Sequence, residues 1–462
     1  MGGVVGPYAS ATEMLRALQM RQVSATELLE LHLERIARFN PDLNAIVTPD
    51  YEGARARARE APTGALGGLP ITIKDSIDVR GLATTSGDPA RRDAVAASDA
   101  PVTAAVRAAG AVVMGKTNVP LMTGDWQTYN ALFGRTVNPW DPARTPGGST
   151  GGGAAALAAG LTPLEWGSDI GGSIRIPAAF CGVFGHKPTE GLVPQDGHVP
   201  GLAPMAVIGP LARSAEDLRV ALGVSRRREL PPPRGRSLRE LRVAVLPWLD
   251  WLPVDAEIQR ALEELAGCLP RARRARPEGY DAWEQENLYA TVLARATFAE
   301  VGDAREKVAA AIRSAPEPLA PAILRGLRAD PAEWQRIEAE REQAQARWNR
   351  FFEDVDVLLT PVTIVPAFPH DEGPFLRRTV EVNGEAQPYK RLEVYPGLAA
   401  LTGLPATAFP AGRTDEGLPI GLQAIGPAFE DLTPLEFAEL VEKELGYAFT
   451  PPPTYSGVTS IA

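Results

Sequence analysis

The chain has 462 residues, 45% of them hydrophobic and 23% charged, with a formal net charge of −10. That length can bury a substantial core, as one large α/β domain or as two to three smaller ones. The acidic balance excludes nucleic acid as a main partner, because phosphate binding needs a basic face. The two cysteines, Cys181 and Cys268, fit no metal spacing and point to a reducing compartment, the cytoplasm, with no disulfide.

The opening MGGVVGPYAS lacks a basic region and an apolar run, so no leader peptide is expected. Gly2 opens no myristoylation pattern, because position 6 is Gly6. Ser10-Ala11-Thr12-Glu13 and Ser24-Ala25-Thr26-Glu27 are capping boxes and predict two helices. Leu28, Leu31, Leu33 and Ile36 give the second helix an apolar face, and Asn40-Pro41 predicts its end. A strand over Ile71–Lys74, a helix around Val102–Ala109 and a strand over Ala111–Met114 follow. Such alternation predicts a sheet covered by helices on both faces. The Ala-rich run after Gly153 is broken by glycine, proline and Glu165, so it is no membrane span. Val224–Ser237, with a proline triplet between arginines, is the clearest linker candidate. Arg242–Leu246 resumes as a strand, and Asp255 to about Phe352 reads as mostly helical, with a charged face over Trp334–Arg350. Val355–Leu359 and Ile420–Ile425 are late strands.

The chemistry concentrates between Thr145 and Pro188, where Ser149 and Ser173 each follow a Gly-Gly pair. Glycine-flanked serines let backbone N–H groups converge on a small anionic centre, here those of Ile170, Gly171, Gly172 and Ser173. Lys74 ends the strand LPITIK. A lysine and two serines suffice for acyl transfer without histidine or metal. Lysine serves as a base only when neutral, and burial beside Ile71, Ile73 and Ile77 lowers its pKa, with Asp75 and Asp78 opposing. Plainer roles stay open at this point: Ser173 as a helix N-cap, Ser149 in a flexible loop, Lys74 reaching water. Neither a phosphate-binding G-x-x-x-x-G-K-[ST] nor a metal-binding H-E-x-x-H occurs, so no cofactor or metal is expected. Gly147–Gly151 matches G-x-S-x-G, which would make Ser149 the acylated residue of an α/β-hydrolase with His198 or His370 as base. The preceding NPWDPARTP reads as loop rather than the buried strand such an elbow needs. His186, beside Lys187-Pro188, has no functional reading.

Gly147-Gly148-Ser149-Thr150-Gly151-Gly152 and Asp169-Ile170-Gly171-Gly172-Ser173-Ile174-Arg175-Ile176-Pro177 resemble the hallmark of the amidase signature family. Leu66–Gly87, Gly110–Pro120, Val137–Ser149, Asp354–Phe368 and Leu401–Pro427 extend the resemblance over nearly the whole chain, most weakly between about Val224 and Arg350. The resemblance implies a single α/β/α domain with a mixed, twisted central sheet. Its expected divisions are N-terminal helices over 1–60, a catalytic core over 61–223, a variable helical cap over 224–352 and the rest of the core over 353–462. It implies Ser173 as nucleophile, Ser149 after a cis peptide as proton relay and Lys74 as base, with Thr150, Asp169 and Arg175 in support. Met122, Trp126, Tyr129 and Phe133 are the expected pocket, aromatic or apolar and without a charge clamp. The expected substrate is therefore an apolar or aryl amide, or a carbamate, met by a monomer or homodimer. The family also contains the glutamine amidase subunit of the transamidosome, from whose usual pattern Pro120–Asn130 departs.

Overall fold

The structure is a computed structural model that describes residues 5–201, 204–298, 305–314 and 317–456. Met1–Val4, part of the segment read for a leader, lies outside the described residues. The chain opens with α1 (Ala11–Gln19) and α2 (Ala25–Leu43), each behind a complete capping box. Helix α2 runs past Pro41, where the sequence pattern places its end. A proline in the last turn removes only one backbone donor. Asn40 ties that turn down, accepting from the N–H groups of Ala45 at 3.0 Å and Ile46 at 2.8 Å. Two elements that the sequence reading passes over follow, β1 (Ile46–Pro49) and α3 (Tyr51–Arg59).

The remaining strands of the first half are β2 (Pro70–Lys74), β3 (Val112–Thr117), the small hairpin of β4 (Tyr129–Asn130) and β5 (Gly134–Arg135), β6 (Leu164–Asp169), β7 (Phe184–Lys187) and β8 (Val207–Ala212). Between them run α4 (Pro101–Ala108), α5 (Gly151–Ala158), α6 (Arg175–Cys181) and, after β8, α7 (Ala215–Ser225). Of the expected linker Val224–Ser237, the first two residues still belong to α7, and 226–237 has no regular structure; Arg234 pins it to the carbonyl of Val355 at 3.1 Å and to the carboxylate of Glu430 at 2.6 Å. Beyond it come β9 (Val243–Val245), α8 (Ala256–Cys268), β10 (Arg273–Arg274), α9 (Ala282–Phe298), α10 (Arg305–Ser314), α11 (Ala320–Arg328) and α12 (Pro331–Asp354). Strands β11 (Val357–Pro361), a β12 (Thr379–Val382) and β13 (Glu385–Pro388) hairpin, α13 (Val394–Thr402), β14 (Ala406–Arg413), β15 (Pro419–Ile425) and α14 (Leu432–Leu445) complete the chain.

Among the described residues eleven strands form one mixed sheet, in the order β1-β3-β2-β6-β8-β7-β14-β15-β11-β9-β10. Strand β2 is parallel to both its neighbours, whereas β6 and β8 are antiparallel. Within the 224–352 stretch, β9 and β10 belong to this sheet and α8 packs on β11, β14 and β15, so the added helical layer is α9 to α12. Helices cover the sheet on both faces. One apolar core extends from Ala11 of α1 to Val441 of α14, which makes the fold a single α/β domain. The start of α5 is glycine because a Cβ on Gly152 would come within 2.4 Å of the Asn118 nitrogen, in the loop after β3. That close approach brings Ser149, just before α5, onto the end of β2.

Candidate active site

Parallel strands β2 and β6 end side by side, and their last residues supply Lys74, Ser168 and Asp169. Lys74 is fully buried. Its Nζ lies 2.7 Å from Ser149 Oγ, 2.9 Å from Ser168 Oγ and 3.4 Å from the Ser168 carbonyl oxygen. Burial lowers its pKa to about 7 against the opposing pull of Asp169 and Glu165. Asp75, expected to oppose that shift, instead faces Lys116 at 3.3 Å. Glu165 is itself raised to about 7 by burial.

The Gly148–Ser149 peptide is cis. The next N–H, of Thr150, donates to the Ser173 carbonyl at 3.1 Å, so the two serine loops are joined through backbone. Ser173 is 6% exposed and its hydroxyl makes no hydrogen bond among the described residues. Apo catalytic contacts commonly tighten only around substrate. The methyl of Thr150 packs over Gly167, where a Cβ would meet it at 2.5 Å, so the residue at 167 accommodates the branched side chain.

Asp169 organises the turn that carries Ser173. Its carboxylate accepts from the N–H groups of Gly172 at 2.9 Å and Ile174 at 3.1 Å. Arg175 grips it in a bidentate pair, Nη2 to Oδ1 at 2.8 Å and Nε to Oδ2 at 3.0 Å. Burial works against this carboxylate, but the charge and hydrogen bonds of Arg175 outweigh it and hold the pKa at about 2. The Gly172 N–H, expected among the oxyanion donors, donates here to Asp169. The N–H groups of Ile170, Gly171 and Ser173 donate to nothing among the described residues. Gly172 itself sits at φ 97°, a conformation that only glycine adopts without strain.

The loop carbonyls are held from the opposite side. Trp126 Nε1 donates to the Gly171 oxygen at 2.8 Å, and the Tyr289 hydroxyl of α9 donates to the Ile170 oxygen at 3.1 Å. The expected pocket residues do not stay together. Met122 is 36% exposed on the turn after Pro120, and Phe133 sits on the β4–β5 hairpin, its carbonyl accepting from Asn44 at 2.8 Å. Trp126 packs against Phe375 and Tyr389, ring centroids 5.5 and 5.3 Å away. Two cations lie near these rings, each paired with a carboxylate. Arg378 donates to Asp125 and to the Tyr129 hydroxyl, both at 2.6 Å, and Lys390 lies 5.9 Å from the Trp126 ring centroid. Arg378 comes from a segment remote in sequence, which local spacing could not reveal.

Sequence reasoning missed Ser168, Gln423, Tyr289 and the placement of His198. Gln423 of β15 accepts from Arg175 Nη1 at 2.9 Å and donates to Thr360 Oγ1 at 3.0 Å. His198 Nε2 meets Ser168 Oγ at 2.8 Å and Ser76 Oγ at 2.9 Å, not Ser149. His370 Nε2 has no hydrogen-bond partner among the described residues. Neither histidine reaches Ser149, so the histidine-dependent reading fails on geometry. His186 is a structural residue, bridging Thr407 at 2.9 Å and Asp431 at 3.3 Å. No group of metal-ligating side chains occurs among the described residues, and no helix there is long and apolar enough to cross a membrane.

Comparison with known proteins follows the same lines. The Amidase family model matches residues 27–435. The chain is 33% identical to an indoleacetamide hydrolase of Bradyrhizobium diazoefficiens, over 95% of this chain and 86% of that one. It is 32% identical to a glutamyl-tRNA(Gln) amidotransferase subunit of Thermus thermophilus, over 91% of this chain and 94% of that one. The crystal structure of a bacterial aryl acylamidase superposes with a TM-score of 0.79 at 25% identity, covering 97% of each chain.

Proposed function

The chain belongs to the amidase signature family and is a hydrolase of amide C–N bonds, and from that premise we propose an acyl-enzyme mechanism on Ser173 that serves apolar or aryl amides. The observation that carries the mechanism is the 2.7 Å contact between Ser149 Oγ and the fully buried Lys74 Nζ. Neutral Lys74 draws a proton from Ser149, which takes one from Ser173 as that oxygen attacks the carbonyl. The Ile170, Gly171 and Ser173 N–H groups receive the developing oxyanion, where each donor is worth about 3–4 kcal/mol of barrier. The proton then returns through Ser149 to the leaving nitrogen, and water releases the acyl group.

The substrate class rests on the aromatic wall of Trp126, Phe375 and Tyr389 beside the Gly171 loop. The indoleacetamide hydrolase and aryl acylamidase relatives support the same class. An aryl carbamate presents the same carbonyl–nitrogen bond and is the close variant. No feature of the site favours the glutamine amidase role over this one. The proposed setting is the cytoplasm, as a monomer or homodimer.

The test is a panel of acetanilide, a phenylacetamide, an aryl carbamate, acetamide and glutamine. The proposal expects kcat/KM for the aryl members to exceed that for acetamide and glutamine by about 10²-fold or more, the scale of one buried ring. Preference for glutamine contradicts the apolar pocket.

A further inference from the structure

The Lys74 amine has a second neighbour that the acyl-transfer scheme does not use. His198 lies in the loop between β7 and β8, and its Nδ1 is 2.8 Å from the Pro200 carbonyl oxygen. A carbonyl oxygen can only accept, so Nδ1 carries the ring proton and Nε2 holds the lone pair. Burial, then the nearby Lys74, depress the imidazole pKa to about 3, which keeps the ring neutral. Nε2 can therefore only accept, and its one lone pair is shared between the hydroxyls of Ser168 at 2.8 Å and Ser76 at 2.9 Å.

With its proton turned toward His198, the nearer of the two contacts, Ser168 Oγ meets Lys74 Nζ as an acceptor. A neutral amine has two protons and one lone pair. The protons face the Ser168 hydroxyl oxygen at 2.9 Å and the Ser168 carbonyl oxygen at 3.4 Å. The lone pair is left for the third neighbour, the Ser149 hydroxyl at 2.7 Å. We propose that His198 is a positioning residue: by fixing the Ser168 hydroxyl as an acceptor, it aims the Lys74 lone pair at Ser149. This inference rests on the hydrolase reading of Lys74, Ser149 and Ser173.

The charged groups around the pair are few. Asp169 and Glu165, on β6, act on Lys74, and Lys116, on β3, acts on His198. Lys116 is itself paired with Asp75 at 3.3 Å. Without the imidazole, the Ser168 proton is free to turn onto the Lys74 lone pair, and water enters beside the ammonium. Both changes favour protonated or misdirected lysine.

The experiment follows the labelling rate of Ser173 by a fluorophosphonate between pH 5 and 10 in the full chain, with the adduct mapped by peptide. In His198→Ala the acid limb of the rate is expected to move up by about one pH unit, giving roughly tenfold slower labelling at pH 6 and convergence with wild type above pH 9. His198→Gln carries an amide oxygen in place of Nε2 and is expected to restore the limb. Should the alanine variant not fold, His198→Asn, too short to reach Ser168, carries the same expectation. A limb that stays in place, or a loss equal at every pH, overturns the inference while leaving the hydrolase reading intact. A wild-type chain with no adduct on Ser173 overturns both.

Discussion

Replacing Asp169 by asparagine keeps the side-chain volume and removes one charge from a pair in which both side chains are wholly buried. Arg175 then keeps neutral acceptors, Gln423 and the one remaining amide oxygen, and its guanidinium is left as an uncompensated charge in the core. Breaking one side of a buried pair costs about 3–5 kcal/mol. The pKa gives an independent scale. Held at about 2 rather than the ordinary 3.8, the carboxylate contributes roughly 2–3 kcal/mol, at 1.36 kcal/mol per pH unit. The sign is fixed by the direction: a depressed carboxylate stabilises fully above its unfolded pKa and loses that contribution as pH falls toward the folded value. Urea unfolding of wild type and Asp169→Asn at pH 7 should therefore differ by about 3 kcal/mol or more, and the gap should narrow between pH 4 and pH 2. Because the same carboxylate orders the Gly172 and Ile174 amides, turnover should fall with stability. A gap below about 1 kcal/mol at pH 7, the size of a surface pair, or one that is the same at pH 7 and pH 3, refutes the reasoning.

Activity in wild type should fall about tenfold per pH unit below the Lys74 pKa of about 7, because only the neutral amine accepts a proton; pH profiles of kcat/KM check this. Lys74→Arg keeps a permanent charge and should lose at least about 10²-fold in kcat at every pH, with binding little changed. Gln423→Leu leaves the Arg175 Nη1 donor unpaired and should cost about 1–3 kcal/mol in the urea midpoint. Trp126→Phe removes the hydrogen bond to the Gly171 carbonyl but keeps a ring, so it should lower kcat more than it raises KM.

The site was legible where its chemistry is local. Gly-Gly-Ser occurs twice in one stretch, and Lys74 closes an apolar strand, so residue type and spacing were enough to single out three side chains, two of which the fold brings to 2.7 Å. What reads only in three dimensions comes from far along the chain. Gln423 reaches Arg175 across 248 positions, Arg378 reaches Asp125 across 253, and Tyr289 reaches Ile170 across 119. Ser168 was hidden differently, as one hydroxyl in a strand buried along its whole length. Such strands show no alternation between an inner and an outer face. Strands β6, β7, β8 and β14 are not read from the sequence, whereas β2, β3, β11 and β15, buried along their whole length, are found within three residues of their observed bounds. Spacing also does not encode which acceptor each turn amide meets, as the Gly172 N–H donating to the nearby Asp169 illustrates.

The most direct test of the account is intact-mass spectrometry after fluorophosphonate treatment, with the modified peptide mapped in wild type, Ser173→Ala and Lys74→Ala. The account predicts one adduct on Ser173, absent in Ser173→Ala and formed at least about 10²-fold more slowly in Lys74→Ala. An adduct on Ser149, or labelling of Ser173 that is indifferent to Lys74, contradicts it.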